Sequence, residues 1–243
     1  MSLTREFLYE LHRHFTGEIR TDARECDHVA NGMLFDRLGE VLGHRNVLQR
    51  LDAAAHGHDP AATQNLAETV SARNALLKLD GVVVVGVQLG GWIAAEMAVK
   101  STERLSALVL GNPVGIKVGD RETRDIVDIW SLMPDDLLAR SYFNPETGKR
   151  DYKSLPEDES LRAARNREAT ARFCWSPYMH NPKLKGRLHR INIPTLFLWG
   201  TADRIIGDGY GRAYCAMIPG AQFQPIERAG HYPHIEQIGR AHV

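Results

Sequence analysis

The stretch Gly81–Lys100, GVVVVGVQLGGWIAAEMAVK, decides the architecture of this chain. Val82 to Val85 form an unbroken β-branched run, the composition of a parallel strand covered on both faces. Ile93, Ala94, Met97 and Ala98 then recur at i, i+1, i+4 and i+5, which predicts a helix laying one apolar stripe on a sheet. Between the two lies a corner flanked by Gly86, Gly90 and Gly91, where a backbone folding back so tightly has no room for side chains. The segment therefore reads as strand, sharp turn, helix.

Working outward, Leu105 to Leu110 is a second apolar strand closed by Gly111, Asn112 and Pro113. Two strands separated by a helix imply a right-handed crossover and a parallel sheet. Strand character returns at Ile193–Trp199 and Phe223–Ile226, with a helix predicted from Tyr210 to Ile218 and stopped by Pro219-Gly220. Upstream, Leu34, Phe35, Leu38, Val41 and Leu42 have helical spacing, Asn46–Leu51 reads as a short strand, and Ala67–Leu79 as a helix. Residues 1–31 carry no firm pattern. Together these predict an α/β fold: a mostly parallel, doubly wound sheet with helices on both faces.

From about Val118 to Arg190 the chain is charged, aromatic and free of strand patterns. Inserted after the strand ending near Leu110, it reads as a helical lid. The expected organisation is a core made of residues 1–117 and 191–237, with 118–190 as the lid. Trp130, Trp175 and Tyr178 are its candidate substrate-binding aromatics, against the plainer reading that they form the lid's own small core. The last six residues, IGRAHV, match a translated sequencing adapter and are read as a non-native tail, outside the fold reasoning.

Composition narrows the function classes. Thirty basic residues balance thirty acidic ones in 243, which gives no electrostatic reason to expect nucleic acid or an anionic membrane as partner. A small-molecule ligand is the expected partner, and the sequence leaves the oligomeric state open. Cys26, Cys174 and Cys215 are odd in number and far apart, a usage that fits a reducing cytoplasm. The opening MSLTREFLYELHRHF is interrupted by charges and lacks a signal peptide's apolar core, and no stretch has the roughly 20 apolar residues of a membrane span. GVQLGG lacks the glycine spacing of a dinucleotide loop, and neither His56-Gly57-His58-Asp59 nor His231-Tyr232-Pro233-His234 belongs to a zinc-type constellation. No cofactor and no metal are expected.

Three blocks together resemble the α/β-hydrolase family: VVVVGVQLGGWIAAEMAVK, IPTLFLWGTADRII and IPGAQFQPIERAGHYPHIEQ. They stand in the family's order, nucleophile elbow, acid, histidine. The resemblance implies that Asp203 orients and His231 acts as general base, in a site that hydrolyses an ester or related bond of a small, largely apolar substrate. It also implies an oxyanion hole using the backbone N–H of Leu89, with a second donor near His28. One position departs from the pattern. Where the elbow G-x-S-x-G has serine, this chain has Gln88, whose delocalised amide is no nucleophile. Impaired hydrolysis is the expectation, and a non-catalytic ligand-binding protein using the same pocket is the alternative.

Overall fold

The computed structural model describes residues 80–151 and 154–237, together with Glu68 and Ser71. The patterns read at 34–42 and 46–51, nearly all of the helix at 67–79, His28, Cys26 and the tail lie outside the described residues.

Four parallel strands form the described sheet in the order β1-β2-β3-β4. They are β1 (Val82–Val87), β2 (Leu105–Gly111), β3 (Thr195–Gly200) and β4 (Gln222–Ile226). Val85 sits opposite Val109, Leu110 opposite Phe197 and Trp199 opposite Pro225. β3 starts two residues later than the apolar run Ile193–Trp199 suggests, after Pro194, whose carbonyl still accepts from Leu108 N–H at 2.9 Å. Pro225 can stand in β4 because that strand ends the described order, where a missing ladder donor is tolerated.

The long helices are α1 (Leu89–Lys100), α2 (Pro134–Ser141), α3 (Glu157–Cys174) and α4 (Asp208–Ala216), followed by the short α5 (Pro233–Glu236). α1 packs on β1 and β2, and α4 on β3 and β4, so helices flank the sheet as an α/β architecture requires. Between β2 and β3 the chain forms α2, α3 and two 3-10 turns, Pro145–Gly148 and Lys185–Arg190. The core joins Trp92 of α1 to Leu108 and Leu110 of β2, Phe197 and Trp199 of β3, and Tyr214 of α4.

Two expectations for the central unit change. α1 was expected to bury one stripe, yet every residue from Gly90 to Val99 is buried. Ile93 and Met97 pack with Val84 and Leu89, while Trp92, Ala94, Ala95 and Ala98 join the main core, so the helix is enclosed all round. Its one charged interior residue, Glu96, is fully buried and accepts hydrogen bonds from Asn181 Nδ2 (2.6 Å), Arg187 (3.1 Å) and Trp92 Nε1 (3.3 Å). β1 differs as well: Val83 is exposed, while Val82, Val84, Val85 and Val87 are half-buried.

Candidate active site

Parallel strands deliver their following loops to one sheet edge, and four such loops meet here. Gln88 follows β1 immediately, with φ 52° and ψ −115°. Its N–H donates to the Gly111 carbonyl of β2, and its own carbonyl accepts from Trp92 N–H and Val114 N–H. The corner depends on Gly86: a Cβ there would lie 2.4 Å from the Gly90 carbonyl oxygen. Leu89 opens α1, so its N–H is one of the first-turn donors that a helix cannot satisfy internally.

Asp203 lies three residues beyond β3 with its side chain fully buried. Oδ1 accepts from the N–H groups of Ile205 (2.8 Å) and Ile206 (3.0 Å), and Oδ2 accepts from Asn112 Nδ2 (2.7 Å). His231 Nδ1 lies 2.8 Å from the same Oδ2. A carboxylate ringed by donors can only accept, so the imidazole proton sits on Nδ1 and leaves Nε2 as the ring's acceptor. His231 is itself anchored by its N–H to the Ser141 carbonyl at 2.7 Å. Close backbone approach makes this junction possible: a Cβ on Gly200 would fall 1.9 Å from the Gly230 carbonyl oxygen.

Three contributors were missed in the sequence. Asn112, fully buried just past β2, binds Asp203 through Nδ2 and accepts from Gly200 N–H through Oδ1 at 3.2 Å. The sequence showed only a strand terminator there. Glu236 of α5 accepts from the N–H groups of Gly230 (2.6 Å), Asn144 (2.9 Å) and Phe143 (3.1 Å), which ties the histidine loop to the segment after α2. His234 is half-buried with both ring nitrogens enclosed, and desolvation, reinforced by the neighbouring His231 imidazole, pushes its pKa down to about 4. A second histidine three places on was visible, but only as an unsuitable metal pair.

Gln88, Leu89, His231 and His234 line one cavity of about 1100 Å³. Apolar side chains such as Val114, Ile129, Leu137 and Met179 form much of its wall, and Lys149, Arg150 and Arg167 bring charge to it. Trp130 lines it too, its indole under the Arg167 guanidinium at 5.0 Å. The other two aromatic candidates sit elsewhere. Trp175, just past the end of α3, is 54% exposed and does not line the cavity. Tyr178 is not part of the lining either: its hydroxyl donates to the Val127 carbonyl (2.8 Å) and accepts from Ile129 N–H (3.0 Å), clamping that segment, and burial raises its pKa to about 12. Spacing identifies aromatic residues but not the direction they face.

Cys174 and Cys215 are buried, free thiols, and burial raises both pKa values, that of Cys174 to about 12, so neither is an activated thiolate. Among the described residues no group of three or more His, Cys, Asp or Glu side chains could hold a metal ion, and no helix is long and apolar enough to cross a membrane.

Comparison with known proteins extends this picture. The chain is 24% identical over 228 residues to a pimeloyl-[acyl-carrier protein] methyl ester esterase of Salmonella newport, covering 84% of each chain. It is 30% identical over 178 residues, 64% of this chain and 57% of the relative, to a 2-hydroxy-6-oxononadienedioate/2-hydroxy-6-oxononatrienedioate hydrolase of Cupriavidus pinatubonensis. The structure of a serine hydrolase from Cycloclasticus zankles superposes with a TM-score of 0.58 at 16% identity, covering 74% of this chain and 68% of that one. The model of the alpha/beta hydrolase family matches residues 29–240. Since that match takes in the Gln88 corner, Asp203 and His231 alike, the chain belongs to the alpha/beta hydrolase family.

Proposed function

We propose that this protein carries the site of an ester-type hydrolase in which Gln88 occupies the nucleophile position, so that acyl-enzyme hydrolysis is impaired. One observation carries the reading: the His231–Asp203 pair, fixed by four hydrogen bonds to the carboxylate, lines the same cavity as the left-handed Gln88 corner. In this reading His231 is the base, Asp203 holds its tautomer and stabilises the imidazolium, and the Leu89 N–H faces the developing oxyanion. Residual turnover uses His231 on water, because the Gln88 amide gives up no proton to it. Residues 118–190 act as the lid over a core of 1–117 and 191–237, with Trp130 contacting a small, largely apolar substrate. The free thiols suit a reducing cytoplasm.

A second reading has its own observation. Gln88 Nε2 is buried in the cavity wall with no partner among the described residues, as expected of a donor reserved for a ligand carbonyl in a non-catalytic binding protein. The test is hydrolysis of p-nitrophenyl butyrate by wild type, Gln88→Ser and Gln88→Ser/His231→Ala. The hydrolase reading expects Gln88→Ser to gain about 100-fold or more and the double variant to lose that gain. Wild-type turnover that persists in His231→Ala removes His231 from the site. Saturable binding of the ester with no gain in Gln88→Ser selects the binding protein.

A further inference from the structure

A helix leaves its last four carbonyls without partners inside the helix, and each must find a donor elsewhere. In α2 those are the carbonyls of Leu138, Ala139, Arg140 and Ser141. The first accepts from Tyr142 N–H at 3.0 Å. The other three are taken by the two loops that carry Asp203 and His231. Arg204 supplies two donors: its Nη1 reaches the Ala139 carbonyl at 2.7 Å, and its backbone N–H reaches the Arg140 carbonyl at 3.1 Å. His231 supplies the third through its N–H to the Ser141 carbonyl at 2.7 Å. The guanidinium also sets a positive charge at the negative end of the helix dipole.

These bonds close a ring. Asp203 is joined by its peptide bond to Arg204, and Arg204 N–H holds Arg140. Arg140 leads to Ser141, whose carbonyl holds His231 N–H, and His231 Nδ1 returns to Asp203 Oδ2 at 2.8 Å. The junction is close: a Cβ on Gly230 would lie 2.4 Å from the Ser141 carbonyl oxygen and 2.9 Å from Tyr142 Cα. Beside it the Tyr142 and Tyr232 rings stack with centroids 4.9 Å apart. Leu137, Leu138, Ser141 and Tyr142, at the same end of α2, line the large cavity. Ile205, Ile206 and Asn112 fix the carboxylate, whereas the Ser141 carbonyl fixes the backbone of the histidine.

We propose that Arg204 is a positioning residue for the His231–Asp203 pair: by clamping the C-terminal end of α2 it fixes the carbonyl from which the His231 backbone hangs. The proposal rests on the reading of His231 as the base. Arg204 is exposed and takes no part in the chemistry; it acts through α2. Loss of its guanidinium frees the Ala139 carbonyl and leaves the end of the helix on its backbone bonds. His231 then moves with Ser141, and a displaced base is costly because proton transfer needs hydrogen-bond geometry.

Hydrogen exchange, followed amide by amide on the full chain, tests the clamp without substrate. Arg204→Met keeps the aliphatic stem and the backbone N–H and removes only the charged donor. It is expected to speed exchange of the His231 amide about tenfold or more, with Arg204→Lys recovering most of the protection. The Asn112 amide, bonded to the Leu198 carbonyl within the sheet, should keep its rate. An unchanged His231 amide overturns the proposal, and so does equal acceleration of His231 and Asn112, which marks general loosening. Hydrolysis of p-nitrophenyl butyrate in the Gln88→Ser background adds the functional readout. There Arg204→Met is expected to lower kcat about tenfold with KM within about twofold, and Arg204→Lys to restore most of kcat. A lowered Tm with full kcat makes Arg204 an ordinary helix cap and overturns the proposal. If Gln88→Ser is inactive, or stays active after His231→Ala, the reading of the base fails separately and the amide comparison alone decides the clamp.

Discussion

Acidification should destabilise this protein through one identifiable side chain. His234 is held neutral by burial and by the neighbouring His231, its pKa lowered from 6.5 to about 4. An unfolded chain protonates this histidine as the pH falls through 6.5, whereas the folded chain does so only near 4. Between these values the unfolded state holds the extra proton, so stability falls as the pH falls, and below about 4 this contribution levels off. At about 1.4 kcal/mol per pH unit the loss amounts to about 3 kcal/mol, a large part of the 5–15 kcal/mol that holds an ordinary domain together. The assay is urea unfolding of wild type and His234→Asn at steps across this pH range. Wild type should lose about 3 kcal/mol more than the variant between pH 6.5 and 4, with the two curves running parallel above 7. Parallel loss throughout would refute the argument, because it would mean that His234 is free to take its proton in the folded state.

Two further perturbations probe the scaffold under the site. Arg187→Met leaves Glu96 Oε2 buried in α1 without its guanidinium partner and is expected to cost about 3 kcal/mol in urea unfolding; adding Glu96→Gln should return part of that loss. Gly86→Ala drives a methyl group to 2.4 Å from the Gly90 carbonyl oxygen and 2.8 Å from the Gly91 Cα, both backbone, and is expected to cost about 3 kcal/mol, read as a lowered Tm.

The corner could be read in the sequence because its physics is local. A β-branched run, glycines at 86, 90 and 91, and a helical pattern leave the chain little choice but a tight strand-to-helix turn, and the structure has that turn with Gln88 at φ 52°. Asp203 and His231 were legible for a related reason: each follows a strand directly, and parallel strands bring such residues to a common edge. Asn112 was not, because its value lies in touching Asp203, 91 positions away, and that contact exists only once β2 lies beside β3. The same holds for Glu236, whose three N–H partners come from two separate segments.

By itself, then, the sequence determined the parallel strands and their flanking helices from Val82 onward, the turn at Gln88 and the order in which Gln88, Asp203 and His231 follow their strands. Tertiary structure alone decided which side chains share a cavity: Trp130 and His234 inside it, Trp175 and Tyr178 elsewhere. Periodicity and turn chemistry act over a few neighbouring residues. The facing of an aromatic ring or the isolation of an imidazole is set by elements arriving from distant parts of the chain, once they have packed.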